Sequence, residues 1–123
     1  MMKPIRIDFI KQSEQNYDTV GNYGETEHEI WFEITELSDP LYSVAILLHE
    51  LHEFYRNKDL GTTIEEIDKF DMVDHPELEE PGDDPRAPYH KQHLEASVIE
   101  RACLAMAGRS WSDYEQEIEN LFE

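Results

Sequence analysis

The sequence predicts an α+β fold in which a small N-terminal antiparallel sheet packs against two long helices. Apolar and polar residues alternate in the first third of the chain, and two later segments have the apolar spacing of long helices. A chain of 123 residues is large enough for one hydrophobic core and too short for two. We therefore expect a single domain over residues 1–123.

Two segments of the first third have the two-residue period of half-buried strands. In the first, Ile5, Ile7 and Phe9 alternate with the residues between them, and residues 29–35 resume the alternation. The glycines and asparagines between the two segments are turn formers. These segments predict the strands of the small antiparallel sheet.

The first long helix has signals at both ends. Asp39 is suited to cap its N-terminus, and Pro40 takes the first helical position, where a missing N–H costs nothing. Lys58 followed by Gly61 is typical of a C-terminus. We expect this helix to span about Pro40 to Asn57.

The later helices are also predicted from their ends. Thr63 opens a short helix through a capping box, and the proline-rich residues 74–88 form a loop. A second long helix spans roughly Tyr89 to Ala107 and stops at Gly108, and Ser112 starts a short last helix.

The composition disfavours several classes of function. Lys and Arg number 10 against 29 Asp and Glu, which gives a formal net charge of -19. The electric field of such a negative charge repels phosphate backbones and anionic lipids. We therefore expect no nucleic-acid or membrane binding through charge. No long apolar segment is present, and one cysteine, Cys103, cannot form an internal disulfide. We expect a cytoplasmic protein.

The first long helix carries the most informative motif, the segment from His49 to Glu53. On a helical wheel, its apolar half holds Val44, Leu47, Leu48, Leu51, Phe54 and Tyr55, and its other half holds His49, His52, Glu53 and Arg56, with Glu50 at the border. Two histidines and two glutamates on one turn of a largely buried helix are costly to desolvate, and a bound metal ion is the simplest compensation.

The motif is one residue away from a zinc-peptidase signature. In His-Glu-x-x-His the two histidines hold the metal and the glutamate acts as base toward the attacking water. Here Glu53 replaces the second histidine, and carboxylate is an accepted zinc ligand. We therefore expect His49 and Glu53 to bind the metal and Glu50 to be the general base. His52 also lies near this face and competes for a ligand role.

A third protein ligand must come from elsewhere, and His93 on the apolar face of the second long helix is our choice. His90 lies one turn earlier. Glu100 is two turns further on, roughly 10 Å by helix rise, which favours a supporting role over direct ligation.

Three alternatives remain open at this point. The polar stripe of the first long helix, formed by His49, His52, Glu53 and Arg56, can be a solvated face that binds no metal. Glu53 would then pair with Arg56. A magnesium-dependent nucleotide pyrophosphohydrolase is suggested by the spacings of Glu50 to Glu53 and of Glu65 to Asp68. The net charge suggests an acidic non-enzymatic binding protein that imitates DNA or blocks a basic partner.

Nearly the whole chain resembles a family of small uncharacterised proteins of bacteria and their phages or prophages. The resemblance lies in four blocks: residues 13–21, residues 48–53, residues 67–71, and residues 80–93 with residues 99–101. It implies no particular activity. The first long helix also looks like a reduced zincin active-site helix.

These observations together predict a divalent-metal protein in which His49, Glu53 and His93 hold zinc or another divalent cation. The expected activity is that of a small zincin-like, metallopeptidase-like hydrolase acting on a peptide or another amide or ester. The sequence indicates neither a specific substrate nor an oligomeric state.

Overall fold

A computed structural model describes residues 2–123 and gives the predicted α+β architecture. Its elements, in chain order, are strands β1 (Ile5–Ile10), β2 (Gly21–Glu25) and β3 (Ile30–Thr35), followed by helices α1 (Pro40–Leu60), α2 (Ile64–Asp68), α3 (His90–Met106) and α4 (Trp111–Leu121). A π-helical turn, Lys69–Asp74, follows α2 directly. The predicted fold class is confirmed.

The sheet is mixed, so the predicted all-antiparallel arrangement is wrong in one pairing. The strand order is β1-β3-β2, with β2 antiparallel and β1 parallel to the central β3. Residues 11–20 carry the chain from β1 to the opposite edge, so β3 returns between the two earlier strands. Alternation along a strand reports which face is buried and is the same in parallel and antiparallel ladders.

Helix α1 begins and ends at the predicted signals and is slightly longer than expected. The Asp39 carboxylate accepts a hydrogen bond from the Leu41 N–H at 2.9 Å. At the other end, Gly61 has a φ of 75°, the left-handed conformation that closes helices and that glycine adopts without strain. The helix therefore continues three residues past Asn57, to Leu60.

The core lies between the sheet and α1. Ile30, Phe32 and Ile34 of β3 are fully or almost fully buried, and Ala45, Ile46 and Phe54 of α1 pack against them. Helix α1 lies over β2 and β3, and its other side runs along α3. This position between sheet and helix is what removes part of its polar stripe from water.

The predicted apolar half of α1 is not its most buried half. Val44 is exposed, and Leu48 is half-buried, whereas His49, Glu53 and Asn57 are buried. The cause of this burial pattern is tertiary packing. Helix α3 covers the polar side of α1, and β1 extends beyond the part of the sheet that α1 covers. The prediction that the motif lies in a buried environment holds, although the leucines are less covered than expected.

Helix α3 matches the predicted second long helix to within one residue at each end, and Gly108 follows it with a φ of 71°. The last helix begins earlier than predicted, because Ser110 rather than Ser112 caps it: the Ser110 hydroxyl accepts from the Asp113 N–H at 3.3 Å. Among the helices of residues 2–123, none has the length and apolarity needed to cross a membrane.

Candidate metal centre

The three predicted ligands converge between α1 and α3. One ligand atom from each of His49, Glu53 and His93 can be chosen so that all lie within 4.8 Å of one another. Glu53 Oε2 is at the centre, 3.2 Å from His49 Nε2 and 3.0 Å from His93 Nδ1. His49 and Glu53 come from successive turns of α1, and His93 comes from the first turn of α3, which runs beside it.

The second ring nitrogen of His49 is held by a carboxylate. His49 Nδ1 lies 2.8 Å from Glu100 Oε1, and the other oxygen of Glu100 accepts a hydrogen bond from the Tyr114 hydroxyl. These contacts orient the imidazole so that Nε2 points at Glu53. Helices α3 and α4 thereby position a ligand that belongs to α1.

The second oxygen of Glu53 is held from the sheet. The Tyr23 hydroxyl on β2 donates to Glu53 Oε1 at 3.0 Å, and the Asn57 side-chain amide donates to the Tyr23 oxygen at 3.2 Å. Glu53 is 5% exposed, so each of its oxygens needs a partner inside the protein. Oε2 is left facing the two histidines.

The second nitrogen of His93 is held by the loop before α3. His93 Nε2 lies 3.1 Å from Asp83 Oδ1. The ring also packs on Gly82, where an added Cβ would come within 2.6 Å of His93 Cγ. The glycine is required here because the backbone and the imidazole approach more closely than any side chain permits.

Hydrogen bonds set the charges of these groups. Burial opposes a positive charge on His49, but its bonds to Glu100 and Glu53 outweigh that cost and raise the pKa of His49 to about 11. Burial opposes the charge on His93 as well, and its bond to Glu53 raises the pKa of His93. Burial also disfavours the Glu53 carboxylate, yet its two histidine partners hold the pKa of Glu53 below its usual range.

Glu50, the predicted base, lies beside this group without being hydrogen-bonded to it. Its side chain packs against Gly21 of β2, where an added Cβ would come within 2.7 Å of Glu50 Oε1. Burial and the negative charge of Glu53 raise the pKa of Glu50 above its usual range, and the charges of His49 and His93 oppose that rise. Glu50 is therefore within electrostatic range of all three candidate ligands.

The remaining histidines of the two long helices are engaged elsewhere. His52 Nε2 lies 2.9 Å from Glu95 Oε1, which also binds Arg56. His90 Nδ1 lies 2.9 Å from the Gly82 carbonyl and so fixes the loop rather than the cluster. Arg56 does not pair with Glu53, so the contact required by the solvated-stripe alternative is not formed.

The donor set fits a zinc ion better than a magnesium ion. Two imidazole nitrogens and one carboxylate oxygen are accepted zinc ligands, whereas magnesium prefers oxygen. Ligands about 2.1 Å from a tetrahedral centre lie roughly 3.4 Å apart. The separations of 3.2 and 3.0 Å from Glu53 Oε2 to the two histidine nitrogens are close to that spacing, and the three ligand atoms all lie within 4.8 Å of one another.

A cavity of about 350 Å³ adjoins this network on the far side of Tyr23. Its lining includes Tyr23, Phe54, Asn57, Lys58 and Ile64. Asn57 is 3% exposed, and its Oδ1 has no hydrogen-bond partner among residues 2–123. That oxygen is itself buried, and none of the three candidate ligands lines the cavity.

Comparisons with models of protein families, with curated proteins and with solved structures found no match. The site is therefore interpreted from its own geometry. Sequence reasoning missed Tyr23 and Tyr114, and it gave no role to Gly82. Residues 74–88 were predicted as a loop, without the contact that Asp83 makes with His93.

Proposed function

We propose that this chain is a small zinc-dependent hydrolase of the zincin-like kind, with His49, Glu53 and His93 as metal ligands and Glu50 as general base. The observation that carries the metal assignment is that each ligand has its second polar atom bound by a different side chain. Glu100 binds His49, Tyr23 binds Glu53, and Asp83 binds His93.

Such outer contacts are what a metal site requires. Metal-bound histidines donate their other ring N–H to a carboxylate or carbonyl, which fixes the ring and raises its basicity, and bound carboxylates are themselves hydrogen-bonded. A pair of surface histidines needs no such support. Here the supporting groups come from β2, from the loop before α3, and from α3 itself. Together with α1, which carries His49 and Glu53, four parts of the fold converge on three ligand atoms.

The charge of the site supports a divalent cation. Glu53, Glu50, Glu100 and Asp83 bring four carboxyl groups around two imidazoles. Without a metal ion, protons on the histidines must supply the positive charge, which accounts for the direction of the His49 pKa. A zinc ion would replace those protons with a charge of its own at the same place.

A bound zinc ion would supply Lewis acidity toward a carbonyl group and would make a nearby water more acidic. Glu50 is suited to accept the proton of the attacking water, because its raised pKa lies closer to neutral than that of an exposed carboxylate. The same group would then return the proton to the leaving amine or alcohol.

Two alternatives fit less well. The magnesium pyrophosphohydrolase is all-helical, whereas this chain begins with a sheet, and Glu53 faces two nitrogen donors. The acidic binding protein is favoured by the net charge of -19 alone. It gives no reason for the ordered contacts around His49, Glu53 and His93.

Metal analysis of protein purified without a His-tag tests the metal assignment. We expect a single zinc ion per chain in the wild type, and its loss in His49→Ala, Glu53→Ala and His93→Ala. His52→Ala is the matched control, because His52 lies on the same helix and binds Glu95 instead. Wild-type protein that binds no zinc, nickel or cobalt when these are added would refute the assignment.

A further inference from the structure

The β1 strand forms an unpaired edge of the sheet and carries uncovered apolar side chains. Its only sheet neighbour among residues 2–123 is β3. Ile5, Ile7 and Phe9 are opposite Ile30, Phe32 and Ile34 and share their face of the sheet. The three β3 residues are at most 3% exposed, whereas the three β1 residues are 38%, 39% and 46% exposed.

The difference has a structural cause. Helix α1 lies over β2 and β3 and leaves β1 beyond its cover. The apolar face of the sheet, which packs against α1 at β2 and β3, therefore extends to β1, where no helix covers it. An edge strand with free N–H and C=O groups and an apolar face is a template for pairing with another strand.

We propose that β1 pairs with β1 of a second copy of this chain, antiparallel about a two-fold axis that passes next to Ile7, to give a continuous six-stranded sheet. A two-fold axis perpendicular to the sheet makes the two edge strands antiparallel and keeps both core faces on the same side. The apolar residues of β1 then meet their counterparts between the two α1 helices.

The backbone restricts the register. The carbonyls of Pro4 and Ile10 accept hydrogen bonds from Ile30 and Glu36, so the even-numbered residues of β1 direct their backbone groups toward β3. The odd-numbered residues direct theirs to the free edge, because these directions alternate along a strand. Odd residues must therefore pair with odd residues. Pairing Ile7 with its own copy satisfies this and places Ile5 opposite Phe9.

The charged side chains select that register from its neighbours. With Ile7 opposite Ile7, Arg6 lies opposite Asp8 of the second copy, and the same pair recurs by symmetry. A shift of two residues in one direction places Arg6 opposite Arg6, and in the other direction Asp8 opposite Asp8. Arg6 already contacts Asp8 and Glu29 of its own chain. Opposite charges across a strand pair are favourable and like charges are unfavourable, so of these three registers the central one alone places no like charges opposite each other.

Exchange of the two charges tests the register directly. In Arg6→Asp, two acidic residues face two acidic residues, and in Asp8→Arg, two arginines face two arginines. Each variant alone should dissociate at least about tenfold more readily than the wild type. Mixed together they should form a heterodimer, because every opposed pair is then acidic against basic.

Sedimentation velocity and native mass spectrometry measure these outcomes, and the two variants are distinguishable by mass. Glu119→Arg, on exposed α4, matches the charge change of Asp8→Arg and should dimerise like the wild type or slightly better. Ile7→Lys, at a position that is 39% exposed, should remove the dimer while the circular-dichroism spectrum of the folded chain persists. A wild type that stays monomeric at high micromolar concentration, or a mixture with no heterodimer, would overturn the proposal.

Discussion

His49 and His52 lie on the same helix one turn apart, and their surroundings give them different roles. His49 is 8% exposed and lies between Glu53 and Glu100, with one ring nitrogen directed at each. His52 is half-buried at the rim, where Glu95 is shared with Arg56. An imidazole with a carboxylate partner on each ring nitrogen keeps one orientation, which is the property that a metal ligand needs.

Glu50→Gln separates metal binding from catalysis. The amide keeps the volume of the carboxyl group but cannot accept the proton of the attacking water. We expect unchanged zinc content and melting temperature, and a rate lower by about 10²- to 10⁴-fold on a panel of peptide and ester substrates. Glu115→Gln, on the exposed side of α4, is the control.

Two results would count against this role for Glu50. Loss of zinc in Glu50→Gln would indicate that Glu50 is a ligand or a structural support. Zinc-loaded wild type that cleaves nothing in the panel would indicate a structural metal site in a binding protein.

Zinc binding should release protons. His49 holds a proton at neutral pH, because its pKa is raised to about 11 by Glu100 and Glu53 after burial has acted in the opposite direction. Ligation requires the neutral ring, so the proton must leave. Below the raised pKa of His49, protons compete with the metal for the ring nitrogen. Zinc affinity should therefore increase as pH rises. Calorimetric titrations in buffers of different ionisation enthalpy measure the release, and zinc binding without proton release contradicts it.

Among single residues, the sequence predicted the three candidate ligands, which the structure brings together, better than the partners that hold them. His93 could be predicted because a histidine on the packing face of a helix is costly unless it is bound. Tyr23 and Tyr114 could not, because each acts through one contact with a residue distant in sequence. Nothing in the local pattern of β2 indicates that its tyrosine reaches Glu53 on α1.

At the scale of elements, helix ends were predictable and strand pairing was not. Asp39 and Gly61 act through backbone groups a few residues away, so their effect is encoded locally. The parallel pairing of β1 with β3 depends on the path of residues 11–20. The alternation of apolar and polar residues along a strand contains no information about that path. The burial of the α1 polar stripe depends in the same way on α3.

Two glycines allow close approach between elements at the site, and we expect their substitution by alanine to have different effects on zinc binding. In Gly82→Ala the new methyl group would press on the candidate ligand His93, and in Gly21→Ala it would press on the proposed base Glu50. We expect Gly82→Ala to weaken zinc binding by about 10- to 100-fold, as loss of a supporting contact does. Gly21→Ala should retain zinc and lose activity. Competition with a zinc-binding dye measures the affinities, and equal effects of the two changes on zinc would refute this division.

At the scale of the whole molecule, the proposed metal would join parts that are otherwise held by a modest core. Its ligands come from α1 and α3, and their partners come from β2, α3 and the loop before α3. The chain also carries a net charge of -19, which opposes compaction through self-repulsion. A cation held at the contact of the two long helices would counter that repulsion where the carboxyl groups of Glu53, Glu100 and Asp83 surround the two imidazoles.

Chelation should therefore lower the melting temperature. Zinc at 100 times its dissociation constant stabilises the folded state by about 2.7 kcal/mol, which for a domain of this size corresponds to roughly 10 °C. We expect excess chelator to remove this increment, added zinc to restore it, and calorimetry to record both changes. His52→Ala should respond as the wild type does, and His93→Ala should melt at the same temperature with and without chelator. A wild-type curve that chelator leaves unchanged contradicts a metal that links α1 to α3, because binding energy shared with folding cannot be withdrawn without cost to stability.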